Sequence, residues 1–283
     1  MARKPAPPSA LRRVGVIADT SDEAPLRARW SASLCDYFGA ELVGLAVAKP
    51  VKGAFAPIDY SLTRTLAADA QAAQMAADSA VHRAEAIFRR AACLPTAKWR
   101  AARHAAPLAH LGKQLSDIDL VVVGRLDGEG ADPVLSLHPA DLVLSAGRPV
   151  IVLPPGVSSF SPEHLVIGWQ DTPESRRALR DSLPFAQAAE SVTLVQISAQ
   201  ATSSDLALPV DFLRAHGARR VSAAVEAPGG GPVSDQLMRL ARAAGATMMA
   251  TGAFGRSRLR EWLLGGVTRD LIESTPLPSL MSH

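Results

Sequence analysis

Val14–Ala24 reads VGVIADTSDEA, and Leu165–Ser175 reads LVIGWQDTPES. Each is a short apolar run followed by small polar and acidic residues, the pattern of a buried strand feeding a capped helix. Asp19 and Gln170 hold the same place in the two stretches, at an offset of 151. Downstream, ELVGLAVA at Glu41–Ala48 is answered by SVTLVQIS at Ser191–Ser198, at nearly the same offset. Gly124 then pairs with Gly252 at an offset of 128, and Pro149 with Pro278 at 129. The offset therefore falls by 23 between the second and fourth strands. The first half carries its extra residues there, in the alanine-rich segment Tyr60–Leu94, which holds no glycine or proline. Self-similarity of this kind marks an internal duplication.

Each half reads as five strands alternating with four helices. In the first, strands are predicted at Arg13–Ala18, Glu41–Ala48, Ala97–Arg103, Asp119–Gly124 and Val150–Leu153. Asp19–Asp22 supply capping residues for the first helix, with Pro25 in its first turn. The Tyr60–Leu94 segment predicts the longest helix, an amphipathic cover for the sheet, and Val134–Ala146 a later one. Pro154–Pro162 is a linker rich in proline, glycine and serine. The second half repeats the order, with strands at Leu165–Trp169, Val192–Ser198, Arg220–Glu226, Thr247–Thr251 and Leu277–Met281, and one helix over Glu174–Ala189. Strand–helix alternation implies parallel sheets with right-handed crossovers. The expected fold is α/β, with one domain at residues 1–156 and another at 157–283. A ligand crevice in such a domain lies outside the carboxyl ends of the strands, where strand order reverses. That places Gln170, Asp171 and Thr172 across one crevice from Thr251–Gly255.

Composition excludes several classes. Apolar residues make up 48% and aromatics 5%, which suits close helix–sheet packing rather than an aromatic-rich sandwich. A net charge of +3 is too small to indicate nucleic acid. Cys35 and Cys93 stand far apart in predicted helices and read as inert thiols in a reducing compartment. No apolar run reaches membrane-spanning length, and the basic stretch Met1–Arg13 lacks the apolar centre of a secretory signal. The expected location is the cytoplasm, away from membranes. None of the seven histidines pairs with another His or Cys at metal-ligand spacing. GxxxxGK[ST], GxGxxG and GxSxG are all missing, so no P-loop, dinucleotide fingerprint or nucleophile elbow is expected.

One stretch carries a possible chemistry. Thr251–Thr268 reads TGAFGRSRLREWLLGGVT: glycines at 252 and 255 after an apolar strand, a spacer with Arg256, Arg258 and Arg260, then Gly265 and Gly266 before a helical pattern. Glycines at a strand end permit close backbone approach, and a glycine helix start leaves N–H groups free for an anion. A plain strand exit with flexible turns contains the same glycines, and the arginines also read as a solvated basic face.

In the context of the repeat, Gly252-x2-Gly255-x9-Gly265 resembles the nucleotide loop G-x2-G-x9-G-[S/T] of the universal stress protein family. The string from Gly252 to His283 is similar to the C-terminus of its tandem members. The resemblance implies two flavodoxin-like domains of strand order 3-2-1-4-5, packed as a pseudo-dimer through their fifth strands, Val150–Leu153 and Leu277–Met281. It implies ATP or another adenine nucleotide in the second crevice, with or without magnesium. Carried over by residue, Gly252, Phe254 and Gly255 form the turn beside ribose and phosphates, and Thr251 the strand exit. Gly265, Gly266, Val267 and Thr268 form the helix start. Gln170, with Asp171 beside it, stands where binding members carry an aspartate, and Val195 or Gln196 flanks the base. Gly266 replaces the Ser/Thr hydroxyl, so the cradle is weakened by about 0.5–1.5 kcal/mol. The first half keeps Asp19, but Asp127 replaces its second turn glycine, so it is expected to be a non-binding copy. The implied role is a stress-response regulator or sensor, at most a slow ATPase, in which whole chains associate as homodimers. An interaction module of the same fold without nucleotide is the alternative; an AMP-forming ligase is disfavoured because no second catalytic motif is found.

Overall fold

The computed structural model describes residues 11–49, 63–104, 106–125, 134–255 and 266–283. The loop around Pro50, Gly53 and Pro57, the helix start at Tyr60 and the loop Asp127–Pro133 lie outside these residues, as do Gly265 and the three spacer arginines.

The first half runs β1 (Arg13–Ile17), α1 (Ala24–Phe38), β2 (Glu41–Ala48), α2 (Thr63–Ala92), β3 (Lys98–Arg103), α3 (Pro107–Gln114), β4 (Leu120–Gly124), α4 (Pro139–Ser145) and β5 (Val150–Leu153). The second runs β6 (His164–Gly168), α5 (Pro173–Asp181), α6 (Leu183–Ala188) and β7 (Ser191–Ile197). It continues through a 3-10 turn (Ser203–Leu206), α7 (Ala207–Ala215), β8 (Val221–Glu226), α8 (Val233–Ala243), β9 (Met248–Gly252), α9 (Gly266–Ser274) and β10 (Ser279–Ser282).

The strands form one ten-stranded sheet in the order β3-β2-β1-β4-β5-β10-β9-β6-β7-β8. Read inward from either edge, each half has the implied order 3-2-1-4-5. Pairs within a half are parallel. The seam is antiparallel, with Ile151 opposite Leu280 and Val150 opposite Met281. Two edge strands that would each expose unpaired backbone groups thereby satisfy one another. All four of these residues are fully buried.

Continuous apolar strands need cover on both faces. On one face Trp30 and Leu34 of α1, Phe88 of α2, Phe185 of α6 and Leu213 of α7 join one core. On the other, Leu111 of α3, Leu142 of α4, Leu237 of α8 and Leu271 of α9 join a second. The buried stripe Ala77, Ala80, Ala84 and Phe88 steps by three and four residues along α2, as an amphipathic cover requires.

Three local expectations are corrected. Residues 134–138 are not helical: Val134 O accepts a bond from Lys49 N (2.9 Å), and Leu135 is buried against Ala46 and Ala48. The chain is thus tied to the end of β2, and α4 starts only at Pro139, capped by the His138 ring (3.2 Å from Ala140 N). The single helix expected over Glu174–Ala189 is broken at Ser182, because Pro184 has no N–H to continue the ladder. Nor do Asp19–Asp22 cap α1; its N-cap is Glu23, with no side-chain bond. The linker packs against both halves. Phe160 meets Trp30 edge-on (5.7 Å) and Phe185 (6.0 Å), and its N–H donates to Ser33 Oγ (2.7 Å). An aromatic cluster therefore ties the two halves together beside the sheet seam.

Candidate functional site

At the carboxyl ends of β6 and β9 the second half opens a cavity of about 400 Å³. Its lining includes Gln170, Asp171, Val195, Thr251, Gly252, Phe254, Gly255, Val267 and Thr268. These nine positions, predicted from three separate stretches of sequence, are brought together because β6 lies between β7 and β9 in the sheet. Gly266 is exposed at the first position of α9 beside the cavity, and Gly265 lies outside the described residues. Gln196 faces the other side of the sheet; the alternation of β7 presents Val195 and Ile197 instead.

The walls divide by chemistry. Trp169, Val195, Ile197 and Leu237 give an apolar side. Thr251, Thr268 and the turn after β9 give a polar one, and both threonines are buried. Gln170 is exposed and holds its amide at the rim. Asp171 points to the surface, where its Oδ1 pairs with Arg176. Thr172 caps α5, accepting from Ser175 N (3.3 Å).

The turn after β9 departs from a simple glycine hinge. Among its described residues the positive φ belongs to Phe254 (53°), a strained conformation for a bulky residue. Its N–H donates to Thr268 Oγ1 (3.3 Å), which ties the turn to the first turn of α9. Gly252 is required by packing. A Cβ there would lie 2.5 Å from Ser175 N and 2.7 Å from the Glu174 carbonyl carbon, so the end of β9 presses directly on α5. Among the described residues a Cβ on Gly255 would meet only Glu174 Oε2, at 3.5 Å.

Glu174 was absent from the sequence-based site. Its side chain is 6% exposed, it lines the cavity, and Oε2 is buried with no hydrogen-bond partner among the described residues. Oε1 lies 3.8 Å from Arg177 Nη1, whose side chain is largely in solvent. The repeat held a signal: at the offset of 151, Glu174 answers Glu23. Glu23 spends its carboxylate on Gly156 N (2.9 Å) in the linker. Glu174, by contrast, lines the crevice.

The matching crevice of the first half is filled. Arg27 of α1 is 4% exposed; its Nε donates to Ile17 O (2.9 Å), and Nη2 lies 2.7 Å from Asp19 Oδ2. A Cβ on Gly124 would lie 2.2 Å from Arg27 Nη1, so the guanidinium lies across the ends of β1 and β4. Asp19, also buried, accepts from Ser21 N (3.0 Å) and Ser21 Oγ (2.6 Å). Burial pushes its carboxyl up, but the Arg27 charge and the Ser21 hydrogen bonds outweigh this and hold it below its usual value. The residue answering Arg27 in the second half is Ala178, wholly buried, so the equivalent space holds no long side chain.

Residues 162–283 match the family model described as universal stress protein family. The second half is thus similar to members of that family. The whole chain is similar in fold to a universal stress protein from Archaeoglobus fulgidus, at 14% identity and a TM-score of 0.63 over 95% of each chain. It is similar also to a functionally unknown protein from Pseudomonas aeruginosa, at 14% identity and a TM-score of 0.52, over 96% of this chain and 92% of that one. No curated protein sequence matches. The universal stress protein fold thus extends across both halves, while the family model itself matches the half that holds the open crevice.

A second cavity, of about 740 Å³, lies between the halves at the other end of β5. It is lined by Arg148, Arg177, Arg180, Asp181, Ser282 and His283 among others. Although larger, it is bordered mainly by loops and helix flanks and touches the carboxyl end of β10 alone, apart from the crevice between β6 and β9. Among the described residues no three His, Cys, Asp or Glu side chains form a metal-binding group, and no helix is long and apolar enough to cross a membrane.

Proposed function

We propose that the second half binds an adenine nucleotide in the crevice between β6 and β9, and that the chain serves as a stress-response sensor or regulator rather than a dedicated catalyst. The observation that carries this reading is the single cavity lined by Val195, Thr251, Gly252, Phe254, Gly255 and Thr268. Its volume suits a small ligand, and its apolar side and polar strand-end turn match the two ends of a nucleoside. Trp169, Val195 and Ile197 would flank the base. The Gln170 amide would serve as a neutral hydrogen-bonding group at the rim, and the turn and the start of α9 would meet the sugar and phosphate. ATP, alone or with magnesium, is one candidate within this class.

The first half is proposed as a structural copy, its crevice occupied by the Arg27–Asp19 pair. The chain is proposed to work in the cytoplasm, with no nucleic-acid or membrane partner, and to associate as homodimers of tandem chains. Calorimetry with adenosine, AMP and ATP tests the nucleotide reading, with Gly255→Asp as the crevice-blocking control. Binding by the wild type that Gly255→Asp abolishes is expected. Absence of heat with every ligand at millimolar concentration would overturn it.

A further inference from the structure

Glu174 lines the crevice as a buried carboxylate. It occupies the second position of α5, where the helix N-terminus offers partial positive charge that a bound phosphate would otherwise use. The carboxylate supplies that negative charge from the protein itself. Its Oε2 sits beside Gly255, in ordinary contact distance of where a side chain there would begin. A second carboxylate stands at the other side of the turn. Asp270 Oδ2 would be 3.7 Å from a Cβ on Gly266, and Ser234 Oγ holds it in place (2.8 Å). The region where a phosphate chain would meet the two glycines is thus bordered by two acidic groups. One of them is buried and has no hydrogen bond from any described residue. The Arg177 guanidinium, at 3.8 Å from Glu174 Oε1 and mostly in solvent, is a weak counter-charge.

Resting on the adenine-nucleotide reading above, we infer that this crevice selects adenine ligands of low negative charge, a nucleoside or nucleoside monophosphate, and discriminates against the triphosphate. The buried carboxylate oxygen takes a hydrogen bond from a hydroxyl or amino group of such a ligand. A polyphosphate brings several negative charges toward Glu174 and Asp270 and provides no donor for them.

The test is titration of the full chain with adenosine, AMP and ATP, without divalent metal, on wild type and Glu174→Gln. Glutamine keeps the size of the side chain, and circular dichroism confirms that the variant is folded. Wild type is expected to bind adenosine or AMP at least about tenfold tighter than ATP, and Glu174→Gln to shrink that ratio about tenfold or more. Asp270→Asn, half-buried in the second turn of α9, should shift it in the same direction by a smaller factor. Wild type binding ATP as tightly as AMP, or a ratio unmoved by Glu174→Gln, overturns the inference and leaves the nucleotide reading standing. If none of the three ligands binds either protein, both fall.

Discussion

Arg27→Met removes the guanidinium that fills the first crevice and keeps most of its apolar length. The side chains of Arg27 and Asp19 are 4% and 10% exposed, so their ion pair is a buried one. The substitution leaves Asp19 Oδ2 without its counter-charge, while Oδ1 keeps both bonds from Ser21. Removing one partner of a buried pair costs about 3–5 kcal/mol, because the remaining charge stays in a poorly solvating site. The pH dependence separates this cause from simple loss of packing. In the wild type the Asp19 carboxyl is held below its usual value. Its contribution is therefore present above the unfolded carboxylate value of about 4 and disappears as pH falls through the lower folded value. In Arg27→Met the raising influence of burial no longer meets the arginine charge, so the folded value rises from its wild-type position. The variant then takes up its proton at higher pH than the wild type, and the difference in stability between the two shrinks as pH falls. Urea unfolding followed by circular dichroism at pH 7.5 and 4.5 is the assay. The deficit relative to wild type should be about 3–5 kcal/mol at pH 7.5 and clearly smaller at pH 4.5. Asp19→Asn combined with Arg27→Met should recover most of it. A deficit below about 1 kcal/mol, or one that does not change with pH, would refute the account of Arg27 as counter-ion to a buried carboxylate.

Gly252→Ala drives a methyl into the backbone of α5 and should destabilise the chain by about 1–3 kcal/mol, whereas Gly255→Ala should leave the urea midpoint nearly unchanged; equal effects would contradict the packing role of Gly252. Burial pushes the Cys35 thiol up to about 12, and only Cys93 is exposed. One equivalent of a thiol reagent should therefore react with the native protein at pH 8, and a second only after denaturation. Asp181 is raised above its usual value by burial, against a bond from Ser282 Oγ (2.7 Å). A raised folded value means stability is lost as pH climbs through it, so Asp181→Asn should raise the thermal midpoint at neutral pH and have little effect near pH 3.5. An unchanged midpoint at neutral pH would show that Asp181 is sufficiently solvated to ionise without cost.

Much of this protein was determined by its sequence alone. Apolar runs separated by helical periods fix strand and helix identity locally, because burial on both faces of a parallel sheet demands continuous apolar strands. The match of VGVIADTSDEA with LVIGWQDTPES carries the duplication, strand–helix alternation the meeting of Gln170 with Thr251–Gly255, and the strand order came with the family resemblance of the Gly252–Gly265 spacing. Where the sequence misled, a long-range contact had overridden a local preference. Val134–His138 has helical neighbours but is tied to β2, and Asp19 is a good capping residue that Arg27 claims instead. Gly252 read as a concession to a ligand, yet it is the close approach of α5 that forbids a side chain there. Only the tertiary structure decided what each crevice contains. The exchange of Arg27 for Ala178 is visible in the aligned repeats, but nothing local says that a guanidinium will turn inward across Gly124 rather than out to solvent. Glu174 and Glu23 are likewise the same residue in the same place. One is taken by a linker that returns to it, and the other is left facing the cavity, because the partners of a charge are set by what the fold brings beside it and not by its neighbours in the chain.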